Sequence, residues 1–229
     1  RKKVCVIDSG YYIQNEDLPN QPSDVTGRTF VGDDDPWNGN LKSSHGTHVA
    51  GTIAAIDNTV GVVGTTNNAW LHIGRVFIKR DGLISDIVAS INDCADQGAA
   101  VINMSLGSYS YEKAPKFAVD RAYDNGILVV AAAGNSGTTD YGYPASHDSV
   151  ISVSAIDRNK EWADFSNEND QVELSAPGFG VLSTCIEKEE FYCKNTGTSM
   201  ASPHVAVSTI YLSNHYLTAN LCSNCLTHI

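Results

Sequence analysis

Short apolar runs alternate with helix-spaced apolar stripes along this chain. Val4-Cys5-Val6-Ile7 is an apolar run that stops at Asp8-Ser9-Gly10, the pattern of a buried strand followed by a turn. Over residues 43–56, Val49, Ile53 and Ile56 recur at helical spacing. Residues 70–77 read as a strand. Residues 84–95 read as an amphipathic helix with Ile84, Ile87, Val88 and Ile91 on one face. Residues 100–104 predict a buried strand, 117–123 a helix and 127–132 a strand; 150–155 and 172–174 add shorter strands. The last stripe, Met200, Ala201, Val205, Ala206, Val207, Ile210, Tyr211 and Leu212, predicts a closing helix from Ser199. Strands alternating with helices predict an α/β fold, a parallel sheet with helices on its faces. In such sheets sites gather at the carboxyl ends of strands. Asp8, Ser105-Leu106-Gly107 and Gly134-Asn135 each follow a predicted strand directly.

Composition narrows the possibilities. The 229 residues, 42% hydrophobic and 18% charged, suit a single domain over residues 1–229, with no internal repeat or linker. Lys and Arg total 15 against 26 Asp and Glu, a net charge of -11, which argues against a nucleic-acid partner and leaves carboxylates for a hard cation such as calcium. No apolar run approaches the roughly 20 residues that cross a bilayer. Arg1-Lys2-Lys3 leads straight into the first strand without a signal-peptide pattern, so the chain is expected to be part of a longer precursor. Six cysteines permit three bridges. Cys185 and Cys193 bracket a short polar segment and suit a local bridge. Cys222 and Cys225 read as a redox pair, half a metal site or a local bridge; His228 lies nearby but no second ligand pair follows, which disfavours zinc. Cys5, inside a strand, reads as a buried free thiol.

The chemistry centres on Gly197-Thr198-Ser199-Met200-Ala201-Ser202-Pro203-His204. A serine at a helix start either caps the helix or uses its free N–H groups and dipole to favour negative charge beside a nucleophile. Pro203, read as lying in the first turn, fits both because it sacrifices no intrahelical bond there. Acyl transfer by serine needs a base, an acid that orients the base, and oxyanion donors. Asp8 at a strand end, His45 at a helix start and Asn135 after Gly134 are the candidates, although Asp-Ser-Gly and Gly-Asn are each common turns. His45 and His48 stand three apart without the intervening glutamate of the metalloprotease pattern, which spaces its histidines four apart. Gly46 allows a second backbone to approach.

Together these segments resemble the subtilisin-like serine proteases. The matching motifs are Val6 to Gly10, His45 to Thr52, Val101 to Gly107, Ala131 to Asn135, Ser175 to Gly178 and Gly197 to His204, in the family's order of Asp, His, Ser. A lipase-like reading fails, because that order differs and the Gly-x-Ser-x-Gly elbow is absent. The resemblance runs from Arg1 to about His215. It implies a three-layer α/β/α fold with a mainly parallel sheet, lacking the family's N-terminal segment and C-terminal end; residues 221–229 have no counterpart. It implies a serine endopeptidase in which Ser199 attacks, His45 carries the proton and Asp8 orients His45, the division of labour established for this family. His48 is structural. The Asn135 amide and the Ser199 N–H form the oxyanion hole. Substrate adds as a strand along Ser105-Leu106-Gly107, opposite residues 81–83. Gly134 and Gly142 line the first pocket and leave room for large apolar or aromatic side chains. Ile84, Ile87 and Leu106 form a further apolar wall. A preference for basic residues, drawn by Asp33 to Asp35, is the alternative; a non-catalytic peptide-binding relative is another.

The resemblance further implies a calcium site from Asp17, the Asn58 side chain and the carbonyls of Ile56, Val60 and Val62, short of the roughly six to eight oxygens calcium takes. It implies a cis Tyr143–Pro144 bond and a Met200 open to oxidation. Val207 replaces a glycine common in the family and is expected to shift its neighbours. The expected setting is secretion as a zymogen with a pro-segment, acting as a monomer on peptide or protein substrates.

Overall fold

The computed structural model describes the chain except residues 33–34, 38–43, 67–68, 79–81, 188–189 and 217–229. Seven strands form one sheet: β1 (Lys2–Asp8), β2 (Val25–Thr29), β3 (Ala69–Arg75), β4 (Val101–Met104), β5 (Leu128–Ala132), β6 (Val150–Ile156) and β7 (Val172–Pro177). Their order is β2-β3-β1-β4-β5-β6-β7, and every neighbouring pair is parallel. A parallel sheet is covered on both faces, so its central strands are unbroken apolar runs rather than alternating ones. Val4, Cys5, Val6 and Ile7 are accordingly all fully buried.

The two faces carry separate cores. α1 (His45–Ala54) and α4 (Thr198–Tyr216) pack with Val4, Val6, Val130 and Val153; α2 (Ile84–Asp96) and α3 (Lys113–Asp124) pack with Cys5, Ile7, Ile102 and Val129. This alternation of β1 side chains between cores gives the three-layer α/β/α arrangement expected from the sequence. From β1 the chain lays β2 and β3 on one side; β4 to β7 build out on the other. The order therefore reverses between β1 and β4, and the crevice beyond their carboxyl ends is where such folds bind ligands.

Several sequence expectations change in detail. α3 begins at Lys113, four residues before the expected start at Phe117. The edge strand β2 and the antiparallel hairpin β8 (Val181–Glu187) and β9 (Glu190–Asn195) were not anticipated; the segment between Cys185 and Cys193, expected to be merely polar, belongs to this hairpin. Cys185 and Cys193 are bonded as expected. Cys5 is not a free thiol: it is bonded to Cys94 and ties β1 to α2. Cys222 and Cys225 lie outside the described residues. Val207 sits fully buried in the α1/α4 core within an uninterrupted helix. The Tyr143–Pro144 bond is cis. Among the described residues no helix is long and apolar enough to cross a membrane.

Candidate active site

Asp8 is the last residue of β1 and is buried. Its carboxylate accepts the Ser9 N–H at 2.7 Å and faces His45 Nδ1, which lies 2.8 and 2.9 Å from its two oxygens. His45 opens α1, and the next residue explains how it arrives there. A side chain on Gly46 would run into the Gly10 carbonyl and come within 3.1 Å of the Asp8 carboxylate. Glycine lets the helix start press against the strand end. The Ser9 hydroxyl then accepts the Gly46 N–H at 3.0 Å and fixes the join. The His45 side chain keeps 37% exposure. Burial is the largest single influence on it and pulls its pKa down; the charge and hydrogen bond of Asp8 together outweigh this and hold it above the ordinary 6.5.

His48, one turn on, differs. It is fully buried, its Nε2 lies 3.0 Å from the Val181 carbonyl of β8, and burial pushes its pKa down to about 4. Ser183 and Thr184 of the same strand donate to the His48 and Thr47 carbonyls at 2.8 and 2.9 Å. His48 thus belongs to the seam between α1 and the hairpin, as expected for a structural residue.

Ser199 is the second residue of α4. Pro203 is not in the first turn, as the sequence reading had it, but farther in. It has no N–H for the Ser199 carbonyl four residues back. The Ser105 hydroxyl supplies the missing donor at 2.7 Å, and the Ser199 hydroxyl donates back to the Ser105 carbonyl at 3.1 Å. Behind this pair the Asn103 amide donates to the Ser105 hydroxyl at 3.0 Å, and Ser202 donates to Asn103 Oδ1 at 2.7 Å. Asn103 and Ser202 are fully buried. This polar chain, absent from the sequence reading, locks the start of α4 to the end of β4.

The Ser199 hydroxyl is thus bonded to Ser105 and not to His45. The two are nevertheless held by neighbouring strand ends. Val6 and Asn103 are partners in the β1/β4 register, so Asp8, which carries His45, and Ser105, which carries Ser199, extend adjacent strands about 5 Å apart.

Asn135 follows β5. Its Oδ1 accepts the Thr198 N–H at 2.8 Å and the Thr198 hydroxyl at 3.0 Å. Its Nδ2 also lies beside Gly197, 3.4 Å from where a Cβ on that residue would stand. The Ser199 N–H is one of the donors a helix start leaves without an intrahelical partner. A cavity of ≈ 80 Å³ adjoins these groups; Asn135, Ser199, Leu106, Gly107, Gly134 and Gly142 are among its lining residues. Gly142 also packs closely on the opposite backbone, because a Cβ there would lie 2.6 Å from the Ala133 carbonyl. Ser105 lies beneath the site, and Ile84, 41% exposed at the start of α2, does not line the cavity. Asp33, Asp34 and Asp81 lie outside the described residues. Met200 is buried at 2% exposure, so the open access expected for oxidants is not there.

The residues expected to bind calcium are neighbours of Asp17, and the groups that Asn58, Ile56 and Val62 turn to it are N–H donors. Its buried carboxylate accepts the Asn58 amide at 2.9 Å and the Val62 N–H at 2.8 Å, while the Ile56 N–H donates to its carbonyl at 2.8 Å. Burial, chiefly, raises the Asp17 pKa. Asn58 Oδ1 accepts the Val60 N–H at 2.7 Å. A carboxylate, an amide oxygen and loop carbonyls are the hard donors calcium takes; here both Asp17 carboxylate oxygens and Asn58 Oδ1 accept N–H groups, and no ion pair balances Asp17 among the described residues. No group of three or more His, Cys, Asp or Glu side chains suited to a metal occurs among those residues.

A buried carboxylate, an imidazole and a helix-start hydroxyl at the carboxyl edge of a parallel sheet form the layout of an α/β serine hydrolase. Comparison with known proteins gives the family. Residues 2–220 match the Subtilase family (Peptidase_S8), and the chain belongs to that family of serine endopeptidases. It is 46% identical over 222 residues to Subtilisin DY of Bacillus licheniformis, covering 94% of this chain and 78% of that protein. It is 41% identical to the Major intracellular serine protease of Bacillus subtilis (strain 168), covering 89% of this chain and 66% of that one. The crystal structure of the psychrophilic subtilisin-like protease Apa1 from the Antarctic psychrotroph Pseudoalteromonas sp. AS-11 superposes with a TM-score of 0.75 at 45% identity; it covers 81% of this chain and 43% of the solved one.

Proposed function

We propose that the chain is a single peptidase domain over residues 1–229 that hydrolyses internal peptide bonds through an acyl-enzyme. The observation that carries this reading is the Asp8 carboxylate fixed on His45 Nδ1 at 2.8 Å, which presents Nε2 as the proton acceptor. Rotation of the Ser199 hydroxyl from the Ser105 carbonyl toward His45 completes the relay; in substrate-free enzymes this bond commonly forms only in the reactive complex. Ser199 Oγ attacks the scissile carbonyl, its proton passes to His45 Nε2, and the imidazolium delivers that proton to the leaving amine. Water then repeats the sequence to release the acyl group. Asn135 Nδ2 and the Ser199 N–H donate to the oxyanion.

Peptide or protein substrate adds as a strand beside Ser105-Leu106-Gly107, and pockets select side chains because backbone pairing is blind to sequence. Large apolar residues precede the cut. Asp17, Asn58 and the carbonyls of Ile56, Val60 and Val62 would hold calcium, which would supply a counter-charge to the buried carboxylate. The two disulfides favour an oxidising, secreted setting. The protein acts as a monomer, with a pro-segment in its precursor. Cleavage of unstructured casein by the wild type and its loss in Ser199→Ala with an unchanged circular-dichroism spectrum is the expected result; equal cleavage by both proteins contradicts the reading.

A further inference from the structure

Tyr109 carries the most informative unassigned contact near the cavity. It follows Ser108, whose backbone is pinned to Tyr143 by two hydrogen bonds of 2.9 and 2.8 Å. The Ser110 N–H closes onto the Ser108 hydroxyl at 3.1 Å, so the segment turns sharply at Tyr109. From this fixed base the phenol reaches the opposite wall. A Cβ built on Gly134 would lie 3.1 Å from the Tyr109 hydroxyl oxygen. Residues 106–109 form one side of the cavity and residues 132–135 the other, so the ring bridges the two.

Nearby aromatic residues are engaged elsewhere. Tyr111 and Tyr143 pack edge-on at 5.2 Å between ring centres and both meet His147, while the Tyr141 hydroxyl donates to Asp170 at 2.8 Å. Tyr109 is 54% exposed, lies outside both cores, and its hydroxyl has no hydrogen-bond partner among the described residues. Nothing in the packing requires a tyrosine there.

Cavity size gives the ring a consequence. With Tyr109 in place the space is ≈ 80 Å³. An engineered apolar cavity of about 150 Å³ holds a benzene ring, roughly twice the space beside Tyr109. A phenylalanine ring asks for more room than an aliphatic side chain of four heavy atoms.

We propose that Tyr109 is a specificity-determining residue that bars aromatic side chains from this pocket and selects aliphatic ones of leucine or methionine size before the cut. This rests on the endopeptidase reading. It narrows the expectation that glycines at 134 and 142 leave room for aromatic residues: the glycines serve their own backbone, and the ring fills the space between the walls. The free hydroxyl at the pocket mouth also places a polar group where the far edge of an aromatic substrate ring would sit, which adds a desolvation penalty to the steric one.

The test compares kcat/KM for two tetrapeptide nitroanilides that differ only in a terminal Leu or Phe. The wild type is expected to favour Leu by about tenfold or more, the scale on which pocket size discriminates. Tyr109→Ala should raise Phe cleavage until the preference vanishes or inverts. Tyr109→Phe keeps the ring and should keep most of the preference. A wild type that cleaves Phe as well as Leu, or a Tyr109→Ala enzyme with an unchanged ratio, overturns the proposal while leaving the endopeptidase reading intact. Absence of cleavage of both peptides by every folded variant, with Ser199 unlabelled by a fluorophosphonate, overturns both.

Discussion

Asn135 has two polar ends, and the proposed mechanism uses both. Its carbonyl accepts from Thr198 at the start of α4, and in the proposed mechanism its amide hydrogens donate to the oxyanion. Asn135→Ala is therefore expected to lower kcat by about 10²–10³ with little change in KM, the loss known for this type of donor in a subtilisin. Steady-state kinetics decide it; an unchanged kcat removes Asn135 from the oxyanion hole. At this scale the sequence was most legible where a residue sits inside a dense local motif. Asp8, His45, Asn135 and Ser199 all do. Tyr109 does not, because its importance comes from reaching Gly134 across a cavity, a contact that no local pattern encodes. The role of Ser105 was half-visible: the motif placed it beside substrate, but its hydroxyl supports Ser199 from beneath.

Ser105 also shows why elements meet where they do. Pro203 leaves a carbonyl in α4 without its helical donor, and the end of β4 supplies one. Ser105→Ala leaves that carbonyl unsatisfied, and urea unfolding should show a loss of about 1–3 kcal/mol. It should also lower kcat, because the Asn103 and Ser202 chain no longer reaches Ser199. Unchanged stability and turnover contradict the linkage. The helices and central strands were legible from their periods. β2 was missed because an edge strand of five residues, Val-Thr-Gly-Arg-Thr, gains its conformation from pairing with β3 rather than from its own pattern. The β8/β9 hairpin was missed for a similar reason: its polar Ser183 and Thr184 look like loop residues until their bonds to α1 are seen. The Cys5–Cys94 bond required knowing which strand α2 packs on.

For the whole molecule, the parallel sheet was predictable from alternation, but its strand order was not. Order shapes the candidate site, since the reversal between β1 and β4 is what brings Asp8 and Ser105 to adjacent ends. The proposed calcium site belongs to the same scale. A cation bound only to the native loop around Asp17 stabilises the whole fold by mass action. Excess chelator should lower the melting temperature, and added calcium should restore it. A melting temperature indifferent to both contradicts the assigned ligands.

In the proposed mechanism Asp8 and His45 activate Ser199 across two neighbouring strand ends. The rate of inactivation by a fluorophosphonate, followed against pH with the adduct located by peptide mapping, tests it most directly. Only neutral His45 accepts the proton, and Asp8 holds its pKa above 6.5, so protonation silences the base below that value. One adduct per chain is expected, on Ser199, with a rate that rises through an apparent pKa above 6.5 and is lost in His45→Ala. Absence of label on folded protein, a label elsewhere, or a rate indifferent to pH and to His45 contradicts it.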